Sequence, residues 1–397
     1  MEKKTHSKQS YKFFYLMQVF LSFGQNLAFQ FLPIYTRKLG GTERQMGLLT
    51  AVQNVFSNLF SPYWGKKSDQ MGRRIFMVFG GFIAFSCAIA MALANNPNQI
   101  IVTVAVNSFG MSILVPAWSG AIADYTKGMN RGSFMSKIMG IGAGYVSIAL
   151  IIYAYYIPKL NLDEISQYRV IIWASAINFG LATVVSGFIV DRNEKEKREF
   201  KLFLPLKDSK FRRYTFITIT WWFFMSLAWS YFPILISDVV NASSSEVALI
   251  GLTQTIVQSI VGYKLGKYIE KLGMRKSIII GLLPFALIPL IFSFATVWWH
   301  LIPAQIIAGF SIGFGFAAME GYILEIAGNQ NAGSYKGVYQ VIWGFVTFIG
   351  SFLGGILLEW LSHYLGNLTD ALRIMLFTVF LARLVVNLFM IKLLPDI

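Results

Sequence analysis

Two loops of this sequence, each set between apolar runs, repeat one pattern half a chain apart. The first is Gly65-Lys-Lys-Ser-Asp69-Gln-Met-Gly72-Arg73-Arg74, which holds two glycines, one acid and four bases. The second, Gly266-Lys-Tyr-Ile-Glu270-Lys-Leu-Gly273-Met-Arg275-Lys276, lays glycine on glycine and acid on acid 201 positions later. Phe31-Leu32-Pro33-Ile34 likewise returns as Tyr231-Phe232-Pro233-Ile234, offset by 200. A chain of 397 residues with these echoes is built from two similar halves, so the repeat fixes the architecture before any residue is given a role.

The stretches between the loops are lipid-soluble. Hydrophobic residues make up 55% and charged residues 13%, against about 25% charged in soluble domains. The charges cluster, leaving runs of about 20 apolar residues, the length that crosses about 30 Å of hydrocarbon. Twelve spans are predicted, at 11–35, 45–64, 75–94, 99–123, 135–157, 169–190, 214–237, 246–265, 277–296, 299–325, 337–358 and 370–393. The first is too long for the apolar core of a cleavable signal and is expected to remain as a helix. A net charge of +15 in a soluble chain would suggest nucleic acid. Here the bases alternate between crowded and sparse loops. Lys66, Lys67, Arg73, Arg74, Lys127, Arg131 and the bases from Arg192 to Arg213 share one side, while Arg37, Lys38, Arg44, Lys159, Arg169 and Arg373 are thinly spread over the other. The positive-inside rule then predicts both termini in the cytoplasm and the chain in the plasma membrane, with no nucleic-acid partner. The organisation expected is a bundle over 1–190, a cytoplasmic linker over 191–213 and a second bundle over 214–397. The linker's apolar stretch from Phe200 to Leu206 reads as a short amphipathic segment on the inner surface.

The first loop resembles the pattern G-x-L-a-D-R-x-G-R-R between helices 2 and 3 of the major facilitator superfamily. Gly65, Asp69, Gly72, Arg73 and Arg74 match, Lys67 replaces an aliphatic residue, and Gln70 replaces arginine. The echo departs further, with Glu270 for aspartate and Met274 for the first paired base. The resemblance covers nearly the whole chain. It implies an all-α membrane protein of twelve helices in two pseudo-symmetric six-helix bundles, moving a solute by alternating access, without a cofactor. It also implies a gating role for the loop. Asp69 accepts hydrogen bonds at a helix N-terminus, where the dipole favours an anion, usually helix 11. Arg73 is expected to pair with Asp124 at the end of span 4, with Arg275 and Glu325 as their equivalents in the second half.

Polar residues at membrane depth are costly unless they face protein or water. The resemblance implies that spans 1, 4, 7 and 10 line the cavity, which makes Gln25, Asn26, Asn107, Trp222, Trp229 and Glu320 the candidate substrate contacts. For the amides and tryptophans individually, interhelical bonding or aromatic packing is an equal reading. Glu320 is the only acid placed inside a span, and three roles stay open for it: proton coupling, contact to a cationic substrate, or pairing with Arg383, the only base placed inside a span. Gly140, Gly142, Gly144, Gly350, Gly354 and Gly355 are assigned to close helix packing. Family exporters that exchange protons for drugs often carry G-x3-G-P-x2-G-G in helix 5. Here Tyr145 follows Gly144, which weakens that reading.

No Walker loop, zinc-binding His pair or Cys motif is present, and Cys87 is the sole cysteine, so enzymatic, metal and disulfide chemistry are not expected. The function expected is secondary transport of a small organic solute by a monomer, with export slightly favoured and protons as a further partner through Glu320. The alternatives are a proton-coupled uptake permease for a sugar or organic acid, and a non-transporting receptor or lipid-handling protein on the same fold.

Overall fold

The computed structural model describes residues 2–125, 131–190 and 203–396. The first half comprises α1 (Glu2–Lys38), α2 (Glu43–Leu59), α3 (Ser61–Met71), α4 (Arg73–Ala92), α5 (Pro97–Tyr125), α6 (Arg131–Tyr156) and α7 (Glu164–Ser186). The second comprises α8 (Leu204–Lys207), α9 (Ser209–Leu227), α10 (Tyr231–Ile234), α11 (Ser244–Leu272), α12 (Met274–Leu282), α13 (Leu287–Ser293), α14 (Ile302–Phe310), α15 (Ala317–Leu365) and α16 (Leu368–Leu393). Lys127 and most of the expected linker lie outside the described residues. Joined across their breaks, the described helices form six long runs in each half. The second is α2 plus α3, divided at Phe60 ahead of Pro62. The ninth is α12 and α13, divided around Pro284, whose missing N–H cannot continue the ladder. α15 is two crossings in one run of helix, parted at Gly328, whose φ of 64° and ψ of 171° are not helical.

Nine crossings are apolar enough to identify by composition among the described residues. The other three, α1, α2 with α3, and α11, are the amide-rich ones. Several of their amides line the cavity between the halves, among them Gln25, Gln53, Asn54 and Asn58.

Local geometry repeats the sequence echo. Gly72 divides α3 from α4 at φ 103°, ψ 139°, and Gly273 divides α11 from α12 at φ 80°, ψ 153°. Side chains are strained at such angles, so both loops require glycine at this point. The helices leading into them begin alike as well. Thr42 and Gln45 form a capping box on α2, and Ser243 and Glu246 form one on α11.

Within the first half the packing order is α2, α5, α4, α7, α1, α6. The halves meet along two seams, α2 with α15 and α6 with α11. Glycines show that these seams are closed at one end only. On α15, Gly333, Gly344 and Gly355 recur every 11 residues and therefore lie on nearly one face. At the end away from the termini, a Cβ on Gly355 would fall 2.7 Å from the Glu43 carbonyl oxygen and 2.9 Å from the Gly47 Cα. In mid-helix, one on Gly344 would fall 2.9 Å from the Asn58 Cβ. At the end near the termini, one on Gly333 would meet nothing among the described residues. α11 repeats the trend, with Gly251 tight against Gln30 of α1 while Gly262, 11 residues on, opens into free space. The halves therefore touch on the far face and part toward the terminal face. Four of the six glycines assigned to packing are in close contact. Gly140 and Gly144 are not, since a Cβ on either would meet nothing among the described residues.

Candidate substrate site and gating charges

The far face is held by ion pairs at the ends of related helices. Arg37, in the last turn of α1, bonds through Nε and Nη2 to Asp238 Oδ2 in the other half at 2.8 and 2.5 Å, and through Nη2 to Glu43 Oε1 at 2.9 Å. Its side chain is 14% exposed, so these contacts are partly sheltered from screening. Ser244 Oγ donates to Gln167 Oε1 at 2.6 Å across the second seam. Repeat symmetry explains the meeting, since the ends of α1 and of the α9–α10 crossing occupy equivalent places beside the pseudo-axis.

On the terminal face, Arg73 lies between two carboxylates. Its Nη1 is 2.7 Å from Asp69 Oδ1 and its Nε donates to Asp124 Oδ2 at 2.6 Å. Sequence reasoning missed the residue that makes this possible. Gly120 of α5 leaves the space through which the guanidinium passes, and a Cβ there would collide with Arg73 Nη1. Gly120→Val is expected to displace Arg73 and cut transport about tenfold or more without preventing insertion, because removing one partner leaves a poorly hydrated charge uncompensated. Flux in liposomes beside a surface-expression assay checks this, and Asp69→Asn is expected to weaken transport in the same assay.

The second loop does not copy the triad. Arg275 reaches the end of the chain instead, with Nη1 3.1 Å from both oxygens of Asp396 and Nη2 bonded to the Ile391 carbonyl at 2.9 Å. The expected Arg275–Glu325 pair is therefore not formed, and Glu325 and Glu270 stand exposed. Gly266 lies inside α11, facing open space. Arg74 is likewise exposed.

The proposed Glu320–Arg383 pair is also absent. Arg383 is fully buried in α16, where Nη2 donates to the Met225 carbonyl at 3.1 Å and the guanidinium carbon lies 5.8 Å from the Phe285 ring centroid. Met225 lies in the last turn of α9, where its carbonyl also accepts from the Ala228 N–H at 3.3 Å and the dipole favours a cation. Arg383 thus serves the end of that helix. Glu320 is 54% exposed and pairs with Lys336 of the same helix run at 2.7 Å, across the turn at Gly328.

Between the gates the candidate contacts fall into two groups. Gln25 and Asn107 line a cavity of about 220 Å³ with Gln53, Asn54, Ser57 and Asn58 of α2, and Gln340 reaches it from the other half. Gln25 Nε2 points to Met111 Sδ at 3.9 Å, and Asn107 Oδ1 is buried without a partner among the described residues. Asn26 bonds to the Ser22 carbonyl and does not line this cavity. Trp222 and Trp229 belong to an aromatic cage. The Trp222 ring stands edge-on to Trp343 at 5.3 Å, Trp229 is 6.2 Å from Trp222 and 6.3 Å from Trp343, and Phe316 closes on Trp222 at 5.1 Å. The two groups adjoin, since Gly344, next to Trp343, packs against Asn54 and Asn58. Trp343 Nε1 is a buried donor without a partner among the described residues, as Asn107 Oδ1 is a buried acceptor without one. Trp343 and Gln340 escaped the sequence reading, although their spacing of three on one helix could have flagged a shared face. Among the described residues no group of three metal-binding side chains is assembled.

Comparisons with known proteins agree with this architecture. The profile of the Major Facilitator Superfamily matches residues 14–236 and again 214–395. The quinolone resistance protein NorA of Staphylococcus aureus (strain Mu50 / ATCC 700699) is 23% identical over 364 residues, covering 87% of this chain and 89% of NorA. The multidrug transporter protein MdtP of Bacillus subtilis (strain 168) is 25% identical over 317 residues, 64% of this chain and 57% of that protein. In three dimensions a mutant of the nucleoside transporter NupG superposes with a TM-score of 0.80 at 11% identity, over 98% of this chain and 100% of NupG. The doubled profile match, the twelve crossings and the paired loops lead to one conclusion: the chain is a multi-pass, non-enzymatic membrane transporter and belongs to the major facilitator superfamily.

Proposed function

We propose that the protein exports hydrophobic, ring-bearing organic solutes across the plasma membrane by secondary active transport. The halves over 1–190 and 214–397 rock about the amide cavity and the tryptophan cage, joined by the linker over 191–213. The observation that carries this reading is the cage of Trp222, Trp229, Trp343 and Phe316 beside an uncharged amide wall. Aromatic rings favour a flat, polarisable guest, and amides orient it without demanding a fixed charge. The names of NorA and MdtP supply independent support for efflux. With both termini in the cytoplasm, as the bases suggest, the described state opens inward and loads solute from inside.

Glu320 is the proposed coupling group. Protonation would release Lys336 and change the charge of the inner mouth, which gives a gradient a place to act. In liposomes, a lipophilic aromatic cation is expected to move against a pH gradient. Glu320→Gln should remove the pH dependence while retaining binding. Flux of a hexose or carboxylate, with none of the aromatic probe, would overturn the reading in favour of uptake. The unpartnered Asn107 Oδ1 and the amide wall favour that second reading for a polar, ring-containing solute.

A further inference from the structure

A groove of about 580 Å³ runs down the outside of the second half, between α9 and α15, lined by none of the residues of the tryptophan cluster or the amide cavity. Its floor is a helical stripe. Phe211 with Arg212, Thr215 with Phe216, Ile219 with Thr220, and Phe223 with Phe224 recur every four residues, and Ile342 and Val346 form the opposite wall. From Phe211 to Phe224 the stripe rises about 20 Å, slightly more than one leaflet of a hydrocarbon core about 30 Å thick. Trp221 and Met225, on the other side of α9, are buried in the bundle, while Phe216 is 71% exposed. An apolar face uncovered within a membrane crossing faces lipid.

The mouth of the groove is cationic. Arg212 lines it, its Nη1 3.4 Å from the Leu206 carbonyl oxygen, and Lys207, Lys210 and Arg213 are exposed in the same stretch; none of the four takes an ion pair among the described residues. The one acid between them, Asp208, is occupied, accepting from the Lys210 and Phe211 backbone N–H groups at 2.8 and 3.3 Å and from the Tyr335 hydroxyl at 3.0 Å. A second polar feature lies one turn deeper. Thr215 lines the groove at 8% exposure, and its hydroxyl has no hydrogen-bond partner among the described residues, whereas the Thr220 hydroxyl is satisfied by the Phe216 carbonyl. From the mouth inward the groove thus offers a basic end and then an apolar trough, with the Thr215 hydroxyl buried beneath its wall. That is the order of phosphate and acyl chain along a phospholipid.

We propose that this groove is a binding site for an anionic phospholipid of the leaflet on the terminal side, its phosphate held at Arg212 within this basic stretch and one acyl chain lying along Phe216, Ile219 and Phe223. Basic clusters at the cytoplasmic edge of membrane helices attract anionic headgroups. The site stands apart from the solute pathway, so it survives if the proposed export function fails. Only the name of the leaflet rests on the orientation proposed above.

The test is native mass spectrometry of the purified full chain, released from detergent holding equal amounts of phosphatidylglycerol and phosphatidylcholine with the same acyl chains. The wild type is expected to retain phosphatidylglycerol preferentially. Arg212→Gln should cut that preference about fivefold, the effect of roughly one surface base. Ile342→Trp, which fills the trough and keeps all four bases, should lose the retained lipid while its melting temperature stays near wild type. Three results would overturn the proposal: equal retention of the two lipids by wild type, a preference unchanged in either variant, or displacement of the lipid by free glycerol phosphate. Displacement by a lipophilic cation as effectively in Arg212→Gln as in wild type would instead assign the groove to solute passage and overturn it too.

Discussion

Leucine at Gly47 is expected to reduce transport about tenfold or more while leaving the protein folded and inserted. A Cβ at Gly47 would stand 2.7 Å from the Ser351 carbonyl oxygen and 2.8 Å from the Gly355 Cα, both backbone atoms that cannot swing aside. The remaining atoms of leucine need more room still, and the only way to gain it is to part α2 from α15. Overpacking of this kind costs about 1–3 kcal/mol, which falls on the far-closed state alone. An equilibrium between states moves tenfold for about 1.4 kcal/mol, so the shift is about fivefold to 150-fold toward the state open on the far face. Leucine at Gly262 or Gly333 is expected to act with the opposite sign. It enters open space here and obstructs only closure of the terminal face. After Cys87→Ala, a single cysteine placed at Gln53 reports the difference by its labelling from the two sides of a vesicle. Labelling from the far side should rise with Gly47→Leu and fall with Gly333→Leu. Wild-type flux and unchanged labelling in both variants would sink the rocking mechanism as drawn.

These glycines also show what the sequence could reveal. Repetition is a strong signal, and it paired the two loops, while runs of apolar residues marked the nine helices long and apolar enough for the bilayer among the described residues. Gly72 and Gly273 were legible as a pair since one backbone shape recurs at both. What the sequence hid was contact between segments far apart in the chain. Gly120 has no neighbouring motif, and only the guanidinium lying across it gives it a role. The reading of Arg275 went astray by assuming perfect symmetry. Arg275 takes Asp396, near the C-terminal end, as its carboxylate instead. Arg383 invited pairing with an acid because charge in lipid needs a partner. The partner proved to be a carbonyl in the last turn of α9, and the end of a helix is hard to see in a run as apolar as Trp221 to Ile236. Close packing for Gly140 and Gly144 was misjudged because spacing alone does not say which face of α6 is covered.

The cage yields the second large effect, and Trp343 is its most informative member. No charge, hydrogen bond or ion pair of the fold depends on its side chain among the described residues, since Nε1 is unpartnered and its contacts are the edges of Trp222 and Trp229. Removal should therefore act on the guest more than on the scaffold. A ring contact is worth about 0.5–1.5 kcal/mol beyond the area it buries, and a cation over an aromatic face about 0.5–2 kcal/mol. Trp343→Ala is accordingly expected to weaken tetraphenylphosphonium binding by about 1.5–3 kcal/mol, roughly tenfold to 150-fold in Kd. Trp343→Phe should recover most of the loss, because it restores a ring and omits only the indole donor. Trp299→Ala, exposed before α14 and outside the cage, should change nothing. Titration calorimetry on the purified protein reads all three, with a melting curve to confirm the fold. If Trp343→Ala binds the cation within twofold of wild type, the rings are packing for the α9–α15 seam and the solute lies wholly against the amide wall. If it loses binding of this cation and of an uncharged aromatic alike, while Glu320→Gln spares both, shape and stacking select the solute and the carboxylate belongs to coupling.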